Sequence, residues 1–147
     1  MKIFIGADHA GFELKEVLKK FLKEQGYEVE DCGAASYDEG DDYPDFIKAV
    51  ARRVARRPEN TRGIIVGGSG QGEAIVANRR KKVRAAVYYG GSEKIITLSR
   101  EHNDANVLSL GARFLTEGEA KRAVALWLKT PFSKKERHLR RIKKIDS

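Results

Sequence analysis

The chain has 147 residues, 41% of them hydrophobic, and a formal net charge of +8. That length suits one compact domain with its own core rather than two, and no apolar run approaches the roughly 20 residues that span a bilayer. Cys32 is the only cysteine, which excludes an internal disulfide and a cysteine-based zinc site and fits a reducing compartment.

The first residues, MKIFIGADHAG, run straight into strand-like sequence without the charged and apolar regions of a signal peptide. We therefore expect a soluble, cytoplasmic protein. KIFIGA is an apolar run closed by Gly6, and the segment after it places Leu14, Val17, Leu18, Phe21 and Leu22 at helical spacing until Gly26 stops it. The strand-then-helix unit recurs four times: YEVEDCG with PDFIKAVARRVARR, opened by Pro44; RGIIVGG with GEAIVANRRKK; VRAAVYY with SEKIITLSREH; and ANVLSLG with EGEAKRAVALWLK. Five strands alternating with helices predict one α/β domain over residues 1–147. Its sheet should be parallel and covered on both faces, because parallel strands need crossover helices.

Thr116 with Glu119, and Ser133 with Glu136, have the spacing of capping boxes and predict where the last two helices begin. The final segment, 131–147, places Leu139, Ile142 and Ile145 on one side and Lys134, Arg137, His138, Arg141 and Lys144 elsewhere. So short a helix is marginal alone and must dock on something.

Basic residues concentrate in ARRVARR (51–57) and SKKERHLRRIKK (133–144), while residues 31–45 are acidic. The excess positive charge favours acidic ligands or nucleic acid, and a charged run can equally be a solvated helix face. Aromatic residues do not interleave with the basic runs and RNA-stacking motifs are absent, which argues against the nucleic-acid reading.

In parallel α/β sheets, ligands bind at the carboxyl ends of the strands. After the first strand come Asp8 and His9; after the third comes GGSGQGE with Ser69 and Glu73; after the fourth strand and its helix come His102 and Asn103. The glycine loop looks built to hold phosphate, yet it matches neither nucleotide motif. A dinucleotide fingerprint belongs in the first strand–helix turn, and here Gly68-Ser69-Gly70 is followed by Glu73 where the last glycine belongs. Gly67 and Gly72 have P-loop separation, but Glu73 and Ala74 stand where Lys and Ser or Thr are needed. Glu73 admits two readings. With Gly70 as N-cap it is the third helical residue, where a carboxylate opposes the helix dipole for about 0.3–1 kcal/mol. Alternatively, a carboxylate beside converging N–H groups and a hydroxyl is what proton abstraction next to a carbonyl requires.

These residues together resemble the ribose-5-phosphate isomerase B family, which includes the galactose-6-phosphate isomerase subunits. The resemblance rests on GADHAGFELK, on Asp42 to Pro44, on GGSGQGEAIVAN, on REHNDANVLSLGAR and on RHLRR, in that order along nearly the whole chain. It implies a three-layer αβα Rossmann-like fold, no cofactor or metal, and a homodimer, or a tetramer of paired dimers, whose sites use both chains and whose C-terminal helix docks at the interface.

The implied reaction is isomerisation of ribose 5-phosphate to ribulose 5-phosphate, a step of pentose phosphate metabolism, through an enediolate. Isomerisation of a six-carbon phosphate such as allose or galactose 6-phosphate is the alternative. By resemblance, Asp8 and His102 would assist ring opening, Ser69 and the N–H groups around Gly68, Gly70 and Gly72 would hold the enediolate oxygen, and Asn103 and Tyr43 would contact the sugar. Arg113, Arg137, His138 and Arg141, with His9 nearby, would bind the phosphate. Arg137 and Arg141 are four apart and share a helix face, which suits gripping one dianion. In one branch of the family the base is a cysteine at the position held here by Gly67; this chain resembles the other branch, with Glu73 in that role. Cys32 matches neither and reads as a buried small residue.

Overall fold

Each of the five apolar runs forms a strand, and each strand is followed by a helix. The computed structural model describes all of residues 1–147. β1 (Lys2–Ala7) passes through a 3-10 turn at His9–Gly11 into α1 (Phe12–Glu24). β2 (Glu28–Asp31) leads to α2 (Tyr43–Arg56), β3 (Thr61–Gly67) to α3 (Gln71–Asn78), and β4 (Ala85–Tyr88) to α4 (Lys94–Glu101). β5 (Val107–Gly111) runs through a second 3-10 turn, Ala112–Phe114, into α5 (Glu117–Lys129), and α6 (Glu136–Ile145) closes the chain. The five strands are all parallel, in the order β2-β1-β3-β5-β4.

Because side chains alternate across a strand, each strand feeds both faces of the sheet. Ile3, Ile5, Ile64, Val66, Leu108 and Leu110 lie beneath Leu14, Leu18 and Leu22 of α1, Ile96 of α4, and Val124 and Trp127 of α5. Phe4, Ile65 and Val107 lie on the opposite face, beneath Ile47, Val50 and Val54 of α2 and Ala77 of α3. The fold therefore has three layers, and each fully buried aliphatic side chain contributes about 1.5–3 kcal/mol by leaving water. No helix is long and apolar enough to cross a membrane.

The topology also opens a crevice. β3 sends its chain to α3 on one face, while its neighbours β1 and β5 send theirs to α1 and α5 on the other. The three loops leaving these carboxyl ends diverge above β3, as parallel sheets require at a switch point.

Two expected boundaries move. The third helix ends at Asn78 rather than running through Lys82, which stands at φ +69°, and the Asn78 side chain clamps β4: its Nδ2 donates to the Ala85 carbonyl at 3.0 Å and its Oδ1 accepts from the Ala85 N–H at 2.8 Å. The capping box at Thr116 is half realised, its hydroxyl accepting from the Glu119 N–H at 3.1 Å. The one at Ser133 does not form. Lys134 adopts φ +56°, outside helical space, so α6 starts only after Lys135 and has no side-chain cap.

Candidate active site

The crevice above β3 is a cleft of about 370 Å³. β1 delivers Asp8 and His9 to it, β3 delivers Gly68, Ser69, Gly72 and Glu73, the first residue of α2 delivers Tyr43, and the turn after β5 delivers Arg113. A larger hollow of about 710 Å³ at the amino edge of the sheet is walled by Glu30, itself paired with Lys2 and Arg53, and brings no comparable set together.

The loop's glycines are explained by what lies against them. A Cβ on Gly67 would overlap the Glu73 carboxylate, one on Gly72 would stand 2.7 Å from the Tyr43 hydroxyl, and one on Gly68 would stand 3.0 Å from the Arg113 guanidinium. Three of the expected site side chains, Glu73, Tyr43 and Arg113, thus lie directly on bare backbone. Gly70, at φ +78°, turns the chain into α3 and takes no part in lining the cleft; its carbonyl accepts from Ser109 Oγ at 2.6 Å.

Glu73 is the third residue of α3, as a helix-capping role requires, but no reciprocal bond to the cap forms. Its side chain folds back over Gly67 and the residue is 4% exposed. Burial lifts its carboxyl above the usual carboxylate range, and the nearby Asp8 charge adds to the shift. A side chain at 67 and the carboxylate at 73 compete for a single volume, so a thiol at 67 would reach the place that Glu73 occupies here.

Asp8 is buried and accepts from the Gly11 N–H at 3.2 Å. Ser69 Oγ accepts from the Gln71 N–H at 3.3 Å, leaving its own proton for the cleft. His9 is held by a residue that the sequence did not single out. Asp41 Oδ1 accepts from the His9 N–H at 3.0 Å and lies 2.7 Å from His9 Nδ1. The ligand atoms of Asp8, His9 and Asp41 all fall within 4.8 Å of one another, His9 being hydrogen-bonded to Asp41 and next to Asp8 along the chain. Among the acids between Asp38 and Asp42, no sequence signal marks Asp41 as the one that turns inward.

The remaining expected residues form a second cluster. The loop after α4 precedes β5, so His102 and Asn103 lie at the amino edge of the sheet, opposite the cleft. α6 docks there: Asp146 Oδ2 accepts from the Lys82 N–H at 2.7 Å, just ahead of β4, and the Glu101 carbonyl accepts from the Ser133 N–H at 3.2 Å. His138 stacks on His102 with ring centroids 4.3 Å apart at 16°. It is buried, and that burial, with the neighbouring His102 and Arg137, pushes its imidazole below its ordinary value. Asn103, Arg137 and Arg141 are exposed around this stack. Within one chain, Asp8, His9, Tyr43, Ser69, Glu73 and Arg113 meet, whereas His102, Asn103, Arg137, His138 and Arg141 gather elsewhere.

The family model described as Ribose/Galactose Isomerase matches residues 3–145. The chain belongs to that family. Among ribose/galactose isomerase relatives, it is 45% identical over 142 residues to ribose-5-phosphate isomerase B of Mycobacterium tuberculosis, covering 97% of this chain and 86% of that protein. The crystal structure of ribose-5-phosphate isomerase B from Mycoplasma genitalium with bound ribulose-5-phosphate superposes with a TM-score of 0.93 at 42% identity, over 98% of this chain and 93% of that one. The Clostridium thermocellum ribose-5-phosphate isomerase B structure gives 0.92 at 44% identity, over 99% and 95%.

Proposed function

We propose that this protein interconverts ribose 5-phosphate and ribulose 5-phosphate through an enediolate, with Glu73 as the base. The observation that carries the reading is the buried Glu73 carboxylate lying on the bare backbone of Gly67, beside Ser69 and the amides of the loop. The family and the relatives named above support the substrate. The whole chain, 1–147, acts as one sugar-phosphate isomerase domain.

After ring opening, the Glu73 carboxylate takes the proton from C2 of the aldose. The C–H electron pair becomes the C1–C2 double bond, and the carbonyl oxygen gains the negative charge, which Ser69 and the loop N–H groups stabilise. Returning that proton to C1, while the proton of the C2 hydroxyl passes to the C1 oxyanion and C2 becomes the carbonyl carbon, gives the ketose. A carboxyl lifted by burial suits both halves, since it must first accept a proton and then give it up. The loop faces the reacting carbons, and the phosphate lies with the arginines, so Glu73 does not oppose it.

The separation of the two clusters to opposite sheet edges supports a site completed by a second copy of the chain. In that homodimer, one protomer brings Glu73, Ser69, Asp8 and Arg113, and its partner brings the exposed Asn103, Arg137 and Arg141 with His102, which His138 positions by stacking. Exposed Ile75 and Phe114 beside the first cluster, and Leu139 and Ile145 on α6, offer apolar surface for such an interface.

Because the family description also covers galactose isomerases, a six-carbon phosphate is the second reading, and turnover on five- and six-carbon phosphates separates the two. The base is tested by Glu73→Gln, which should slow exchange of the C2 proton with solvent by about 10²–10⁴-fold while leaving the fold intact. Near-normal exchange overturns the assignment.

A further inference from the structure

We propose that Asp41 is a positioning residue that holds the His9 ring, as its imidazolium, against the phosphate end of the substrate. The proposal rests on the sugar-phosphate reading above and adds a residue to it. Asp41 Oδ1 takes both the His9 backbone N–H, at 3.0 Å, and His9 Nδ1, at 2.7 Å. The ring nitrogen and the main chain are thus fixed by one oxygen, so the imidazole cannot rotate without breaking the clamp. With Nδ1 engaged, Nε2 is the nitrogen left to donate into the cleft that His9 shares with Arg113.

The Asp41 carboxylate has no other use in this chain. Its side chain is 8% exposed, its only ion-pair partner is His9, and its Oδ2 is buried with no hydrogen-bond partner at all. A desolvated carboxylate without lysine or arginine favours a cationic neighbour. The other groups facing His9 are Asp8 at the end of β1, which favours the charged ring; Arg113 after β5, which opposes it; and the Tyr37 ring, edge-on at 6.2 Å from the same loop as Asp41. The hydrogen bond to Asp41 leads this balance and lifts the His9 imidazole above its ordinary value. A phosphate dianion approaching Arg113 would therefore meet a second, pre-oriented cation donating a charge-assisted hydrogen bond.

The test titrates His9 by imidazole NMR in the full-length protein and in Asp41→Asn, with His9→Gln assigning its resonance among the three histidines. Removing the charge should lower the His9 midpoint by about one pH unit. It should also raise KM for ribose 5-phosphate several-fold, with kcat held within about twofold. Combined with His9→Gln, Asp41→Asn should add no further loss, because two groups acting through one contact are not additive. An unchanged midpoint, a loss falling on kcat alone, or a full additional loss in the His9→Gln background each overturns the proposal. Failure of the unaltered protein to isomerise ribose 5-phosphate would instead sink the functional reading, and the titration would still decide whether Asp41 holds His9.

Discussion

The Glu73 carboxylate lies in the space that a side chain on Gly67 would occupy, although the two residues belong to different elements, the end of β3 and the first turn of α3. Gly67 is therefore required by what rests on it. Gly67→Ala should push the carboxylate off its position while leaving the β3 pairing with β5 in place. Displacement of a reacting group by about 1 Å costs on the order of 10²-fold in rate, so kcat should fall by about that factor while the melting temperature changes little. A normal kcat would show that the carboxylate has no fixed place.

Burial of Glu73 predicts opposite effects on activity and stability. On the proposed mechanism Glu73 acts as the base only when ionised, so kcat/KM should fall as pH drops through a midpoint above the ordinary carboxylate value of 4.5. The stability sign follows from proton binding. The folded state holds this proton at pH values where the unfolded chain has released it, so stability falls as pH rises from the unfolded to the folded midpoint and stays lower above it. Glu73→Gln should therefore melt at a higher temperature than the parent at neutral pH, with the difference disappearing below about pH 4. Calorimetry across that range checks it, and a less stable variant at neutral pH would contradict the burial cost.

The proposed sharing of the site between two chains makes a quantitative prediction. Glu73→Gln and His102→Ala should each be inactive alone. Random reassociation of an equal mixture gives half heterodimers, each with one intact site of two, and so should recover about a quarter of the parent activity. No recovery after subunit exchange would mean that both residues work within the same chain's site.

Cys32 is half-buried, and burial pushes its thiol up to about 11, so little thiolate exists at neutral pH. Thiol reagents should label the native protein far more slowly than the unfolded chain, and Cys32→Ala should keep full isomerase activity. Rapid native labelling accompanied by inactivation would give Cys32 a role that its place outside the cleft denies.

Much of this protein is local in origin and therefore readable along the chain. Apolar runs of strand length followed by amphipathic spacing specify the β–α repeat, because each element's burial depends on its own period, and parallel pairing follows from the intervening helices. Asp8, His9, Ser69 and Glu73 were legible for the same reason, since residues just past strand ends converge wherever the strands run parallel; Arg113, which joins them in the cleft, was expected only from the family resemblance. The sequence could not say that Ser133 fails as a cap, because φ at Lys134 is set by how the chain returns to dock α6 at the amino edge. It could not choose Asp41 among its acidic neighbours, because inward orientation depends on the path of a long loop over His9. Nor did it separate the two clusters, since the strand order, which sends β1, β3 and β5 to one crevice and the α4–β5 loop to the far edge, arises from packing between elements distant in sequence. Hydrophobic periodicity acts over a few residues and sets the elements; their arrangement is decided by which faces bury one another, a property of the whole core.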